Sequence, residues 1–534
     1  MPKGTKKGTK KCSKIVRKWD RDYNESTENE VKKTEKYRHS LKCDYVSCGQ
    51  KSNGDLKRYC NSGYIGSFTK GLPHDSQGIV DNEAFLLLLK VIKCNTVKLW
   101  SSLVLGPPLT GYTKALLANP QSAFFSTGIG FNVSAVSCPP APRLSSLEAG
   151  ADMVELYFMA NSRDIPFIDY SSQINPSALV GLQGYKGPTP VTTENIFRGN
   201  SAGDLIGPYI SQLLLLSCPM IVGSIPQTYL ELNAGIDYLT DRTEWLNAQN
   251  GNIKTAQSFS AIKKYIYTGR QLANYVHVDP PCQPWINAAN ILIGLKSPLD
   301  NNNPYVSVAG GTTPGGLSPS GIYSASQGGF VTFGIADLHA MIAEVSQLSL
   351  AFAWNTKWRL ELRLRPEAFG GLVDDQVRLG INRDLPSNLI NSPILATVGL
   401  TKLLSQAYPE GSPLHPSYPS GHAATAGACA TILKAWFNES TIFASPVQAS
   451  SDGLSLIPYS GADLLLNNEL DKMASNMAYG RNFAGIHYRS DAEEGILLGE
   501  RIAIEYLKQR KRSYNEKFKG FELTTRFGKK IIIR

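Results

Sequence analysis

A proline, a serine and a glycine stand directly before an alanine-rich run, and this junction restricts the fold more than any other feature of the sequence. Pro419 requires an extended approach, because the residue before a proline is disfavoured in the helical region. The run from Ala423 to Phe437 carries small and apolar residues at helical spacing. The junction therefore predicts a helix whose N-terminus lies at Ser420 and Gly421.

The predicted helix N-terminus is suited to bind an oxyanion. Its first backbone N–H groups have no partner within the helix, and the helix dipole places partial positive charge there. Gly421 allows close approach to the backbone, and Ser420 adds a hydroxyl donor. His422 follows at once and is the candidate acid or base for an oxygen of the bound group.

A second group of polar residues follows further along the chain and contains Arg481, His487 and Asp491. Arg481 offers a planar, two-pronged donor to an anion. Asp491 lies four residues after His487, and on a helix this spacing would place the carboxylate beside the imidazole. A hydrogen bond to one ring nitrogen leaves the other basic, which suits a metal ligand or a nucleophile equally well.

Cationic residues also cluster in the segment that ends at Pro366. Lys357 and Arg365 are eight residues apart, so on a helix they share roughly one face. Pro366 is expected to end this helix at Arg365 and to let that side chain turn into a site. Arg359 and Arg363 would point elsewhere on such a helix, and we interpret them as solvated or ion-paired residues.

These three patterns resemble the signature of the vanadium-dependent haloperoxidases, whose superfamily also includes soluble acid phosphatases and membrane phosphatidate phosphatases. The signature is a lysine followed by Arg-Pro, a Pro-Ser-Gly-His sequence, and an arginine with a histidine six positions later. Here these elements are Lys357 with Arg365-Pro366, Pro419 to His422, and Arg481 with His487. The resemblance is to algal and cyanobacterial bromoperoxidases and extends over about residues 144–510.

The resemblance implies a vanadate cofactor and assigns the site residue by residue. His487 would be the axial ligand of vanadium with Asp491 behind it, and His422 would bond to the opposite apical oxygen. Lys357 would also polarise bound hydrogen peroxide. The equatorial oxygens of vanadate would be held by Lys357, Arg365, Ser420, Gly421 and Arg481.

Two residues that match the family concern which halide would be oxidised. His415 resembles the additional histidine of bromoperoxidases, where chloroperoxidases carry phenylalanine. Trp354 resembles a tryptophan found there in some members, although an aromatic residue on an apolar helix is also typical of a core. The resemblance therefore implies bromide and iodide, rather than chloride, as substrates with hydrogen peroxide. The product would be a hypohalous-acid-like electrophile that halogenates small organic acceptors, and the assembly would be a homo-oligomer.

Two other functions are considered for a chain with the same residues. A soluble acid phosphatase would employ His487 as a nucleophile and His422 as the acid for the leaving group. An inert binding or shell-forming protein is disfavoured because no signature residue is missing. The length of the chain and the presence of His415 favour the peroxidase.

Charge is distributed unevenly and defines the expected domain organisation. Residues 1–42 hold fourteen Lys and Arg against six acids, and residues 508–534 hold ten against two. We therefore expect a basic, partly disordered tail over 1–65, a mainly helical domain over 66–510 with the signature in 354–500, and a basic tail over 511–534. We expect no specific nucleic acid partner, no signal peptide and no membrane span, and the compartment stays open.

Periodicity predicts a mainly α fold in which helical bundles build the anion site from facing helices. A Gly-rich connector over 307–329 is long enough to border a site or an interface. Strand signals are sparse, and the clearest is Ile531 to Ile533. Helices are predicted over 144–162, 202–217, 254–276, 283–295, 334–363, 394–407, 422–437, 462–479 and 489–510.

Overall fold

A computed structural model describes residues 51–125, 136–278, 280–305 and 327–534. The basic segment before residue 51 and nearly all of the Gly-rich connector therefore lie outside the described residues. The described chain is mainly helical, as predicted. Its α-helices are α1 Asp55–Arg58, α2 Asn82–Cys94, α3 Val97–Trp100, α4 Leu147–Ser162, α5 Tyr170–Gln173, α6 Arg242–Gln249, α7 Gly269–Tyr275, α8 Gln283–Gly294, α9 Ile335–Asn355, α10 Pro366–Val377, α11 Ser387–Ile390, α12 Gly421–Trp436, α13 Leu466–Phe483 and α14 Arg489–Ser513.

The strands are short and form five two-stranded antiparallel pairs within the described residues. β1 pairs with β5, β2 with β3, β4 with β6, β7 with β8, and β9 with β10. The predicted strand at the C-terminus is confirmed as β10. The strands are β1 Thr113–Lys114, β2 Cys218–Pro219, β3 Ser224–Ile225, β4 Tyr229–Leu232, β5 Asn252–Ile253, β6 Phe259–Lys264, β7 Val447–Ala449, β8 Leu456–Pro458, β9 Phe521–Thr524 and β10 Lys530–Ile533.

Helix α12 forms the centre of the main bundle, where it packs against α9, α13 and α14. Every one of its residues except His422 is buried. Two glycines allow α12 and α14 to approach to backbone contact. A Cβ on Gly427 would lie 2.0 Å from the carbonyl oxygen of Ile496, and a Cβ on Gly499 would lie 2.0 Å from that of Ala424. Small residues thus fix the distance between the helix that begins at Ser420 and the helix that follows His487.

A smaller apolar cluster from the N-terminal part of the described chain supports the turn that carries Lys357. Phe68 meets Trp358 edge to face, with ring centroids 5.6 Å apart. Tyr64 belongs to the same cluster, and Tyr59 nearby is buried as well. Tyr59 and Tyr64 are therefore buried although they belong to the segment expected as a tail, and the tail boundary at residue 65 stays a prediction.

The C-terminal segment over 511–534, which is expected as a basic tail, contains regular structure. Hairpin β9–β10 lies in this segment, and its connecting turn carries the buried Arg526. The Arg526 guanidinium lies 3.1 Å from the Asp204 carboxylate and donates to Ser475 over 2.9 Å. One cation of this basic segment therefore belongs to a buried ion pair, and the bounds of the segment as a separate tail stay a prediction.

Six of the nine predicted helices correspond to α4, α8, α9, α12, α13 and α14. The predictions over 202–217 and 394–407 are wrong, since these segments contain only the short 3₁₀ turns Gln212–Leu214 and Pro393–Ala396. The prediction over 254–276 is half wrong, because strand β6 precedes α7 there. Buried apolar residues in irregular chain imitate helical periodicity, as the fully buried Leu213 illustrates. In the described ranges, no helix has the length and apolar character that crossing a membrane requires.

The close contact of α12 with α14 predicts that Gly499→Ala destabilises the fold. The added methyl group would meet backbone atoms that cannot move aside, so we expect a loss of about 1–3 kcal/mol in the free energy of unfolding. Gly399→Ala is the matched control, because a Cβ at that exposed glycine would meet nothing within 4 Å. Urea unfolding of both variants and the parent checks this, and equal midpoints for all three would contradict the packing.

Candidate active site

Three buried cations come from three different elements and have little negative charge to balance them. Lys357 lies in the π-helical turn Thr356–Glu361 that continues α9, Arg365 caps the N-terminus of α10, and Arg481 lies in the last turn of α13. Among the described residues, none of the three lies within 4 Å of a carboxylate oxygen as an ion pair. Uncompensated buried cations are expensive, so this arrangement favours an external anion.

The ammonium group of Lys357 is held by backbone carbonyls of the segment that precedes α12. Its Nζ donates to the carbonyl oxygens of Pro416 over 2.9 Å and of Ser417 over 2.7 Å. Burial lowers the pKa of Lys357 well below its ordinary value, and the charge of Arg365 lowers it further. Lys357 therefore fixes this segment while it contributes charge to the site.

Arg365 contacts two of the three histidines that the sequence predicts at the site. Its Nη1 donates to Nε2 of His487 over 3.0 Å, and its Nη2 lies 2.9 Å from Nδ1 of His415. Backbone oxygens of His415 and Ile486 accept two further bonds, at 2.8 Å and 2.9 Å. Arg365 thus joins the chain before α12 to the chain before α14.

His487 is held in a single tautomer by its two neighbours. Its Nδ1 lies 2.8 Å from Oδ2 of Asp491, which can only accept, so the proton sits on Nδ1. Nε2 therefore carries a lone pair that faces the guanidinium of Arg365. Burial lowers the pKa of His487 well below its ordinary value, and the charges of Arg365 and Lys357 act in the same direction. A neutral imidazole with a directed lone pair can serve as a metal ligand or as a nucleophile.

The expected contact of His487 with Asp491 occurs, but the two residues do not share a helix. His487 precedes α14, and Asp491 occupies its first turn, where its carboxylate also accepts from the backbone of Tyr488 over 3.2 Å. Asp491 therefore caps the helix and orients the imidazole at once. The four-residue spacing gave the right contact for a partly wrong reason.

Arg363 was missed as a site residue because the segment from Lys357 to Arg365 is not one helix. The helical chain ends at Glu361, and Arg363 pairs with Ser67 in an extended bridge. Its buried guanidinium donates to Oδ1 of Asp491 over 2.7 Å. Pro366 starts α10 and does not end a helix at Arg365, which corrects the expected geometry. A proline favours extended chain in the residue before it, and in extended chain residues two apart point to the same side. Pro366 could therefore have indicated that Arg363 and Arg365 lie on one side of the chain.

Ser417 and Asp152 complete the surroundings of Asp491 and also escaped the sequence analysis. The Ser417 hydroxyl donates to Oδ2 of Asp491, and Nη2 of Arg363 lies 3.4 Å from the Asp152 carboxylate. Every oxygen of Asp491 is thereby used. Ser417 lies three residues before Ser420, so its position beside the signature was the only available clue.

Arg481 presents a donor that no described residue uses. Its Nη1 donates to the carbonyl oxygen of Val276 over 2.6 Å, while its buried Nε has no hydrogen-bond partner in the described structure. Leaving such a group unsatisfied costs roughly 1–3 kcal/mol. An oxyanion that accepts from Arg481 would remove this cost, and the residues present therefore fit a tetrahedral oxyanion.

Helix α12 begins as predicted, with Ser420 as its N-cap. The Ser420 hydroxyl accepts from the backbone N–H of Ala423 over 3.4 Å, and the Ser420 N–H donates to the carbonyl of Asp491 over 3.0 Å. Gly421 follows without a side chain, and a Cβ there would lie 3.0 Å from the ring of Trp354. His422 lines a small cavity of about 60 Å³ between α8, α9 and α13, with Trp285, Leu350, Met477 and other residues.

His415 and Trp354 stand together at the edge of the cationic group. Their ring centroids are 4.6 Å apart, and the Lys357 ammonium lies 5.7 Å from the Trp354 ring. Burial lowers the pKa of His415 well below its ordinary value, and the charge of Arg365 lowers it further. His415 is therefore a neutral acceptor beside Arg365. The structure thus brings together residues from all three predicted clusters, and what each of them does there stays a prediction.

Comparisons with known proteins agree on one kind of relative. A family model for the VCPO second helical-bundle domain matches residues 401–516. A vanadium-dependent bromoperoxidase of Ascophyllum nodosum is 33% identical over 482 residues, which are 84% of this chain and 83% of that protein. A vanadium-dependent bromoperoxidase of Corallina officinalis is 32% identical over 544 residues, covering 85% and 89%. The homohexameric second vanadate-dependent bromoperoxidase of Ascophyllum nodosum matches in structure with a TM-score of 0.83, 26% identity, and coverage of 94% and 90%.

The ion pair between Arg363 and Asp491, which lies next to His487, predicts that Arg363→Met is strongly destabilising. Removing one partner leaves the Asp491 carboxylate buried without its main counter-charge, so we expect a loss of about 3–5 kcal/mol in the free energy of unfolding. Arg359→Met is the matched control, because Arg359 is half-buried and lies outside this group of contacts. Urea unfolding measures both, and equal losses would contradict a special role of the pair.

Proposed function

The chain belongs to the vanadium-dependent bromoperoxidase family, and we infer that it is a vanadate-dependent haloperoxidase, an enzyme that oxidises halide with hydrogen peroxide. Identities of 33% and 32% over more than four fifths of this chain support this inference. The structural match at a TM-score of 0.83 supports it independently of those alignments. The acid phosphatase alternative is not favoured, since these relatives are bromoperoxidases.

One observation of this chain carries the proposal: in the part of the chain that the structure describes, three buried cations without ion-paired carboxylates lie around a neutral histidine whose Nε2 lone pair faces Arg365. Lys357, Arg365 and Arg481 would hold the oxygens of vanadate, and Nε2 of His487 would ligate the metal. When bound, vanadate supplies Lewis-acid activation of hydrogen peroxide without a change in the oxidation state of the metal. Ser420 and Gly421 would add donors from the N-terminus of α12.

The remaining side chains are assigned to orientation and to proton movement. Asp491 holds the Nδ1 proton of His487, and Arg363 keeps that carboxylate in place. His422 stands in the first turn of α12, where an imidazole can hold or release a proton near neutral pH. Two carbonyls fix the position of the Lys357 Nζ, so this group is held at the site.

Bromide and iodide, rather than chloride, are the halides of this proposal. The relatives are bromoperoxidases, and His415 stands where the resembling chloroperoxidases carry phenylalanine. The oxidised halide would then halogenate small organic acceptors. A protein of similar structure is homohexameric, which supports an oligomeric assembly of this chain as well.

The first prediction separates binding from turnover at the two signature histidines. His487→Ala should lose both retained vanadium and bromide-dependent halogenation, because it removes the Nε2 lone pair that is proposed to ligate the metal. His422→Ala should retain vanadate through the three cations and lose turnover by about 100-fold or more. Vanadium content after gel filtration and bromination rate with peroxide measure the two effects.

The control for both histidine variants is His339→Ala. His339 lies on α9, and its ring contacts Asn290 over 3.1 Å, away from the three cations. This variant should keep vanadium and activity at the parent level. Stoichiometric vanadium in His487→Ala would remove that residue as the ligand, and parent activity in His422→Ala would remove it from the reaction.

A second prediction concerns the choice of halide. His415→Phe removes the ring acceptor beside Arg365, and we expect the ratio of bromide to chloride oxidation rates to fall. The pH profile for bromide should change in the same variant, because a neutral acceptor next to the cationic group has been lost. Rates for both halides across pH, with His339→Phe as control, test this. Unchanged ratios and profiles would make His415 a packing residue.

A further inference from the structure

We propose that His277 and Glu410 are positioning residues for Arg481. The pair fixes the chain that follows α7, whose carbonyl groups hold one edge of the Arg481 guanidinium and leave Nε for the anion. This inference rests on the proposed function, since it assumes that Arg481 binds the oxyanion. It adds two residues outside the signature, neither of which needs to touch the anion.

The orientation of Arg481 depends on backbone atoms rather than on an acidic side chain in the described structure. Its Nη1 donates to the carbonyl oxygens of Val276 over 2.6 Å and of His277 over 3.4 Å. Val276 is the C-cap of α7, with its N–H still bonded to the carbonyl of Leu272, and His277 is the next residue along the chain. A shift of this short segment would therefore move the guanidinium directly.

The His277 side chain ties this segment to the loop that leads into the anion site. Its Nε2 contacts the Glu410 carboxylate, and its ring stacks on Tyr408 with centroids 3.7 Å apart and planes at 13°. The Tyr408 hydroxyl donates to the carbonyl of Ala273 over 2.5 Å. The Arg481 guanidinium lies 5.6 Å from the same Tyr408 ring. Tyr408 and Glu410 thus hold both the segment and the side chain that it orients.

The backbone of Glu410 is itself held in place by a buried lysine. Its carbonyl oxygen accepts from Nζ of Lys70 over 2.9 Å, and Lys70 forms a buried ion pair with Glu367 at 2.9 Å. Glu367 lies in the first turn of α10, next to Arg365. One continuous set of contacts therefore connects His277 to the element that carries a second cation of the site.

Phosphate binding to the vanadate-free full chain tests the proposal without any requirement for peroxidase activity. His277→Ala should weaken phosphate binding by about tenfold or more, the usual loss when a residue that orients a ligand-binding side chain is removed. His277→Gln keeps a donor toward Glu410 and should recover most of the affinity. His339→Ala, the matched control, should bind phosphate like the parent. Titration calorimetry measures all four proteins, and circular dichroism reports whether each one is folded.

A double-variant comparison separates positioning from general destabilisation. In an Arg481→Lys background, His277→Ala should cause no further loss of phosphate affinity, because the guanidinium that it orients is gone. Additive losses, or parent affinity in folded His277→Ala, would overturn the proposal. If His277→Ala does not fold, Glu410→Ala examines the same contact with the same expected outcomes. If Arg481→Lys alone leaves phosphate affinity unchanged, the anion site itself has been assigned wrongly.

Discussion

Unbalanced positive charge in a buried place is the constraint on which the site depends. Lys357, Arg365 and Arg481 are removed from water, and each such removal costs several kcal/mol unless an opposite charge compensates. The nearby carboxylate of Asp491 is committed to Arg363 and His487. A tetrahedral oxyanion can supply the negative charge that these three cations lack. When the anion is absent, favourable interactions in the rest of the protein must offset the free-energy cost of burying the cations.

The helical bundle contributes to that stability through small residues at the contact between α12 and α14. Glycines in α12 and α14 bring the two backbones together, so the Ser420 N–H reaches the carbonyl of Asp491 at 3.0 Å. The helix that offers backbone donors and the residue that orients His487 are thereby in direct contact. A larger side chain at Gly427 or Gly499 would separate these two groups, although both positions are remote from the cations.

Sequence reasoning succeeded where local chemistry determines the structure. Ser420 as N-cap, the helix after it and the contact of Asp491 with His487 follow from short-range rules, and the structure contains all three. Reasoning failed where tertiary contacts decide. Arg363 was interpreted as solvated or ion-paired, and its partner Asp491 could not be named because it is far away in sequence. The Leu-rich stretch around Leu213 looked helical because burial alone selected its residues. No periodicity in the sequence predicted the π-helical turn that carries Lys357.

The burial of Arg526 has a consequence for how cooperatively the domain unfolds. Its guanidinium lies 3.1 Å from the Asp204 carboxylate and 3.4 Å from that of Glu493, so both acids share it as a counter-ion. Asp204 lies before β2, Glu493 lies on α14 and Arg526 lies in the turn between β9 and β10, so one guanidinium joins segments that are far apart in sequence. Unfolding of hairpin β9–β10 alone would leave these carboxylates without this counter-ion, which is energetically costly. The hairpin and the bundle are therefore expected to unfold together rather than one after the other.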